Sequence, residues 1–276
     1  MQKRVYDGEY FSAEDTLGCG QVFRFTLSTG GAYNVFSADK ACVVKTAGSV
    51  TEVYSDDAEY FENYFDVHRD YSETVRAADA TGNEFLKTAA ERGKGIRILK
   101  QNAEETLFSF IVSQNNNIPR IKGIIERLCR VLGEERKFDG KTYESFPEAA
   151  RIAKESAVFY RSAGLGYRAE YFPAVADALL HGFDLGKAAT LSTSDLKKEL
   201  MKLKGVGPKV ADCVALFGFN RSDSFPVDTW MEKIYREDFR GELTDRNKFA
   251  EYFVSAYGTD AGFFQQYMFH YKRNAV

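Results

Sequence analysis

The chain has 276 residues, 44% of them hydrophobic and 28% charged, with 37 Lys and Arg against 40 Asp and Glu for a formal net charge of -3. That length and apolar content fill one large core or two ordinary ones, and the absence of any long apolar run or apolar leader excludes a membrane span and a signal peptide, so a cytoplasmic protein is expected. The acidic balance gives no sign of a nucleic-acid ligand, and four scattered cysteines (Cys19, Cys42, Cys129, Cys213) with no C-x-x-C pair exclude an iron–sulfur or zinc framework.

Between Gln21 and Ser55 the segments QVFRFTLS, AYNVFS, ACVVKT and SVTEVYS are rich in β-branched and aromatic residues and are separated by Gly30-Gly31 and Gly48. Short strands joined by glycine turns are predicted, hence an antiparallel sheet. The stretch from Glu52 to Glu73 is acidic and aromatic, and beyond it the apolar spacing becomes helical. Helices are predicted over 104–113, 118–132, 167–181, 194–204, 209–219, 230–238, 246–257 and 262–272. The clearest is 118–132, where Ile118, Ile121, Ile125, Leu128 and Leu132 share one face, Asn117 is placed to cap the start, Pro119 sits in the first turn and Gly133 ends it. No Pro- or Ser-rich linker divides the two textures. The expected fold is α+β: an N-terminal antiparallel β-sheet domain, residues 1–98, packed directly on a mainly helical domain, residues 99–276.

The segment LMKLKGVGPKVADCVALFGFN, Leu200 to Asn220, carries the chemistry. Gly205 and Gly207 between two apolar-periodic segments predict a hairpin joining two helices, its core at about 197–219. The start of the second helix offers free N–H groups, a phosphate-binding arrangement suited to a nucleic-acid backbone. Lys209 lies in the first turn of that helix. A cation there faces the positive end of the helix dipole at a cost of roughly 0.3 to 1 kcal/mol, and an amine that readily sheds its charge is what a nucleophile or Schiff-base former needs. Spacing alone favours a phosphate-contacting or solvated lysine. Asp228 follows Phe225-Pro226-Val227 and precedes the helical run TWMEKIYRED, so taken alone it is a helix cap.

The blocks GQVFRF (20–25), LFSFIVSQNNNIPRIKGIIERLC (107–129), GLGYRAEY (164–171), GVGPKVADC (205–213), PVD (226–228) and AGFFQQYMF (261–269) together make the sequence resemble the 8-oxoguanine DNA glycosylase/AP lyases, helix-hairpin-helix base-excision enzymes. The resemblance implies that Lys209 attacks C1′ of the damaged nucleotide and forms a Schiff base leading to β-elimination. It implies that Asp228 stabilises the cationic sugar. Gly20 would accept from N7–H of 8-oxoguanine, Gln265 would meet the Watson–Crick edge, and Cys213 and Phe269 would sandwich the flipped base. On the other strand, Asn115 would fill the gap, Tyr167 would wedge the stack, and Arg120 and Arg168 would read the orphaned cytosine. Read without the resemblance, Gly20 is a turn glycine, Asn115 a turn residue, and Cys213 and Phe269 core residues.

The implied partner is double-stranded DNA carrying 8-oxoguanine or an abasic site. The protein is expected to act as a monomer without a required cofactor, a structural metal ion at the hairpin main chain staying open, and to be nucleoid-associated in a prokaryote. One departure concerns Trp230, where relatives often carry a His near a DNA phosphate; that contact is not implied here. The alternatives are a glycosylase of the same superfamily for another damaged base and a non-catalytic hairpin module. Lys209 opposes the alkylpurine glycosylases, which lack it, and the cysteine pattern opposes the iron–sulfur members.

Charge by segment sharpens the opening figure. Glu52 to Glu73 holds eight acidic residues and one basic, whereas Lys197 to Lys209 holds five lysines and one glutamate. A sided molecule is therefore expected, with the acidic stretch turned away from DNA and salt-sensitive binding at the hairpin.

Overall fold

The computed structural model describes residues 1–274. Five strands, β1 (Gln2–Asp7), β2 (Phe25–Leu27), β3 (Tyr33–Ser37), β4 (Lys40–Ala47) and β5 (Val50–Ser55), form one antiparallel sheet in the order β1-β5-β4-β3-β2. Alternation sets its faces: Thr51, Val53 and Ser55 of β5 point inward, and Val44 pairs directly with Val53. Helices α1 (Ala13–Gly18) and α2 (Ala58–Tyr64) accompany this sheet, and Leu17, Phe61 and Tyr64 join Val35, Cys42, Val44 and Val53 in a first core.

The remainder is helical except for one hairpin. Helices α3 (Tyr71–Ala80), α4 (Glu84–Gly93), α5 (Ala103–Ser113) and α6 (Ile118–Leu132) precede strands β6 (Glu135–Phe138) and β7 (Lys141–Glu144). Then come α7 (Ala149–Ile152), α8 (Ala157–Tyr160), an irregular turn over 161–170, α9 (Tyr171–His181), α10 (Leu185–Ala188), α11 (Thr193–Leu200), α12 (Pro208–Gly218), α13 (Thr229–Glu237), α14 (Arg246–Tyr257) and α15 (Ala261–Asn274). They build a second, larger core. Asn117 caps α6 through Arg120 N at 3.0 Å, and its buried face is Ile121, Ile124, Ile125, Leu128, Cys129 and Leu132, as the spacing requires.

Four local expectations are corrected. Strand β1 was not predicted; its residues QKRVYD are nearly all exposed, because an edge strand has little to bury. The segment QVFRFTLS is a strand only from Phe25; Gln21 to Arg24 are buried as irregular chain between the two cores. The β6–β7 hairpin carries its signal in Asp139-Gly140, both at positive φ (49° and 71°), but its strands are too charged to read as apolar alternation. Residues 166–170 wind tightly, so the helix predicted from Tyr167 begins at Tyr171. Packing also divides the chain differently from a cut at 98/99: Tyr71, Val75, Leu86 and Ala90 of α3 and α4 belong to the larger core.

Candidate active site

The turn between α11 and α12 is fixed by Gly205 at φ +85°, where an added Cβ would collide with the ring of Tyr171. Its carbonyl accepts from Gln114 Nε2 at 2.8 Å, and Val206 N donates to Leu203 O at 3.1 Å. Any ion held by these main-chain carbonyls would share oxygens already hydrogen-bonded, and no chemistry below is routed through one. Gly207, the N-cap of α12, is different: nothing surrounds the position a Cβ would take. Gly205→Ala is therefore expected to cost about 1 to 3 kcal/mol in a urea melt. Gly207→Ala, with open space for its methyl group, should leave the melt nearly unchanged.

Buried polar contacts hold this hairpin on the core. Lys197 of α11 pairs with Asp212 of α12 at 2.7 Å, and Ser224 donates to the same carboxylate at 2.9 Å. Burial raises the Asp212 carboxyl above its ordinary range, and the Lys197 ammonium and Ser224 hydroxyl pull the other way. Lys198, Lys202 and Lys204 also have carboxylate partners, Asp195, Glu199 and Glu170. The local positive run read from sequence is thus largely ion-paired. Lys209 is the exception: among the described residues no carboxylate lies within ion-pair distance of it. Its ammonium nitrogen stands 5.2 Å from the Phe110 ring centroid and contacts the Cys213 thiol. Burial pushes that thiol up to about 11, against the opposing pull of Lys209, so it is a neutral wall at physiological pH.

Asp228 is the N-cap of α13, accepting from Trp230 N at 2.9 Å and Met231 N at 3.0 Å. Both bonds fall on Oδ1, and Asp228 lines a cleft of about 630 Å³ together with Lys209, Gly20, Phe269 and Asn115. A narrower pocket of about 40 Å³ shares Gly20, Lys209, Asp228 and Phe269 and adds Cys213 and Gln265. It has room for a few water molecules. The turn bearing Gly20, at φ +88°, is held by the buried Gln21, whose amide donates to Thr16 O at 2.9 Å and Arg97 O at 2.7 Å and accepts from Leu99 N at 2.8 Å. Arg24 extends this grip to α5 through a buried pair with Glu105 at 3.2 Å.

The loop after α5 and the turn at 161–170 form the rim. Asn115 is exposed at φ +42°, an unfavourable conformation for a side-chain-bearing residue, and its amide reaches Tyr167 Oη at 3.4 Å. Tyr167 is 51% exposed, its ring packed edge-on against that of Tyr171 at 6.1 Å between centroids. Arg120 is exposed, with Nη2 on Gly164 O at 3.2 Å. Arg168 is placed otherwise. It is 2% exposed, stacks 4.4 Å from the Tyr167 centroid and donates to the carbonyls of Leu165, Gln114 and Asn115. Arg168, expected to read the orphaned cytosine, supports the Asn115 loop in this structure through Nη1 and Nη2, while its buried Nε has no partner.

Sequence reading missed Arg246 and Arg273, which bring two further cations to the cleft. Arg246, like Trp230, lines the cleft and is held by Glu232 at 3.1 and 2.9 Å. Neither belongs to a recognisable block, so only the fold reveals them. None of the eight acidic residues between Glu52 and Glu73 lines the cleft; Glu52, Asp57, Glu62 and Asp66 pair with Lys3, Lys40, Arg4 and Lys100 instead.

A family model described as 8-oxoguanine DNA glycosylase, N-terminal domain, matches residues 5–107. Over its whole length this chain superposes on MBOgg1 in complex with a low-affinity DNA ligand, with TM-score 0.93, 34% identity and 96% of that chain covered. It likewise superposes over its whole length on the Clostridium acetobutylicum 8-oxoguanine glycosylase/lyase in complex with double-stranded DNA containing cytosine opposite 8-oxoguanine, with TM-score 0.92, 31% identity and 99% of that chain covered. The N-glycosylase/DNA lyase of Arabidopsis thaliana is 35% identical over 188 residues, 64% of this chain and 52% of that one, so the match spans about half the plant protein.

Proposed function

Since this chain belongs to the 8-oxoguanine DNA glycosylase/lyase family, we infer that it removes 8-oxoguanine from double-stranded DNA and then cleaves the strand at the abasic site. The observation that carries this reading is the meeting of Lys209 and Asp228 on one cleft with Gly20, Cys213 and Phe269, three parts of the chain far apart in sequence. Lys209 Nζ adds to C1′ as the bond from C1′ to N9 breaks, and the base leaves with the electron pair and takes up the proton that Nζ sheds. Positive charge builds at C1′ and the ring oxygen, and the Asp228 carboxylate, fixed by its cap bonds, stabilises it. Opening of the sugar gives the Schiff base, and loss of a 2′ proton expels the 3′ phosphate. These steps call on no cofactor, and one chain supplies every group, so the working unit is a monomer.

Recognition follows from hydrogen-bond polarity. The lesion carries a donor at N7 where guanine carries an acceptor, so a fixed carbonyl at Gly20 favours the lesion and opposes guanine, a mismatch worth roughly 1 to 3 kcal/mol. On the partner strand, Asn115 and the exposed Arg120 face the orphaned base. Single-turnover rates opposite C, T, G and A are expected to favour C, and Arg120→Ala to flatten that order by roughly 1 to 3 kcal/mol of lost discrimination. Equal wild-type rates opposite all four bases would refute the assignment.

The direct test incubates the protein with an 8-oxoguanine duplex and borohydride. A covalent complex and strand cleavage support the enzyme. Salt-sensitive binding with neither would support a non-catalytic hairpin module instead.

A further inference from the structure

The slot for the flipped base, as read above, is assembled from pieces with no covalent tie nearby: the turn after α1 that carries Gly20, helix α12 with Cys213, and helix α15 with Gln265 and Phe269. Its selectivity depends on the spacing between the Gly20 carbonyl and the Phe269 ring. Arg273, one turn beyond Phe269 on α15, bridges these two. Its Nη2 donates to the carbonyl of Gly18, in the last turn of α1, where carbonyls lack helical partners. Its guanidinium carbon sits 5.1 Å from the centroid of the Phe269 ring, within cation–π range. A Cβ built on Gly20 would lie 3.3 Å from Arg273 Nη1 and 3.5 Å from Phe269 Cε1, so turn, ring and guanidinium are in mutual contact.

One donor of this arginine is left over. Nη1 is buried and has no hydrogen-bond partner. Arg97 gives its guanidinium to four backbone carbonyls, those of Phe65, Tyr10, Asp66 and Arg69, whereas Arg168 and Arg221 each also keep a buried Nε without a partner, so it is the pair of contacts to Gly18 and to the Phe269 ring that marks Arg273. Arg273 is held where it is by the ring and by Gly18, at the expense of its own hydrogen bonding.

We propose that Arg273 is a positioning residue for base recognition: by tying the Gly18–Gly20 turn to the Phe269 ring it sets the width of the slot and aims the Gly20 carbonyl at the N7 edge. The proposal rests on the reading of the protein as an 8-oxoguanine glycosylase. It separates two activities of the same cleft. Excision of the base needs the slot; cleavage at a preformed abasic site, which uses Lys209 but has no base to hold, does not.

The test compares wild type, Arg273→Met and Arg273→Lys under single-turnover conditions on three duplexes, carrying 8-oxoguanine, guanine or a preformed abasic site opposite cytosine. Methionine keeps the aliphatic stem and removes the fork. Lysine keeps a cation for the ring and loses the second arm. Arg273→Met is expected to slow 8-oxoguanine excision roughly 10- to 100-fold, as small misplacements in a site do. The ratio of lesion to guanine excision should fall with it, while abasic-site cleavage stays within about twofold of wild type and Arg273→Lys lies between. Equal losses on lesion and abasic duplexes, in either variant, would make Arg273 a fold or backbone contact and overturn the proposal, as would no loss at all. Should Arg273→Met fail to fold, Arg273→Lys decides by the same ratio. A wild-type protein that cuts abasic DNA but leaves 8-oxoguanine would instead sink the underlying reading, and the proposal with it.

Discussion

Lys209→Gln is expected to abolish both 8-oxoguanine excision and borohydride trapping, by about 10³-fold or more, while leaving the fold intact and DNA binding measurable. The loss follows from chemistry: an amide nitrogen neither attacks C1′ nor forms an imine. Survival of the fold follows from magnitudes. Lys209 is half-buried, and its contact with the Phe110 ring at 5.2 Å is worth roughly 0.5 to 1 kcal/mol. Against that stands its place in the first turn of α12, where removing a cation returns roughly 0.3 to 1 kcal/mol. The two nearly cancel, and no carboxylate among the described residues is left unpaired. A melt within a few degrees of wild type, together with retained binding to an 8-oxoguanine duplex, would assign the defect to chemistry. A trapped adduct in this variant would place the nucleophile elsewhere and remove the assignment of Lys209.

How much of this was legible in the sequence varied with what each residue answers to. Helix α6 reads off directly because its buried face, its Asn117 cap and Pro119 all express local rules. The hairpin reads equally well, since Gly205 is demanded by a positive φ and by the ring of Tyr171. Lys209 and Asp228 were visible locally only as a first-turn cation and a helix cap, and it was the resemblance of the hairpin and PVD blocks to the family that gave them roles. Residues whose position depends on tertiary packing were not legible. Strand β1 pairs with β5 across some fifty residues and buries almost nothing itself. Arg168 looks like any basic residue in GLGYRAEY, and only the fold shows its fork closed on the Gln114 and Asn115 carbonyls. Arg246 and Arg273 reach the cleft from helices whose own sequence serves the core. The acidic Glu52 to Glu73 stretch was visible as charge; its neutralisation by Lys3, Lys40, Arg4 and Lys100 was not, because each partner comes from another element.

Asp228→Asn is expected to lower single-turnover excision of 8-oxoguanine roughly 10²- to 10³-fold, corresponding to about 2.7 to 4 kcal/mol of lost transition-state stabilisation. The choice of asparagine separates two duties that Asp228 performs at once. As a cap it accepts from Trp230 N and Met231 N through a single oxygen, and an asparagine carbonyl can take over both bonds. The charge itself contributes roughly 0.3 to 1 kcal/mol to α13 through the helix dipole, so the fold of Asp228→Asn should be only slightly weakened. What disappears is the full negative charge facing the cleft beside Lys209, and that loss is felt only when C1′ becomes cationic. Asp228→Ala should show the additional cost of the lost cap, about 1 kcal/mol in a melt, on top of the same kinetic defect. The deficit on a preformed abasic site should be smaller than on the lesion, because no glycosidic bond has to break there. If Asp228→Asn excised 8-oxoguanine at nearly the wild-type rate while Asp228→Ala was merely less stable, the carboxylate would be a helix cap and nothing more, and the charge that stabilises the sugar would have to come from another residue of the cleft.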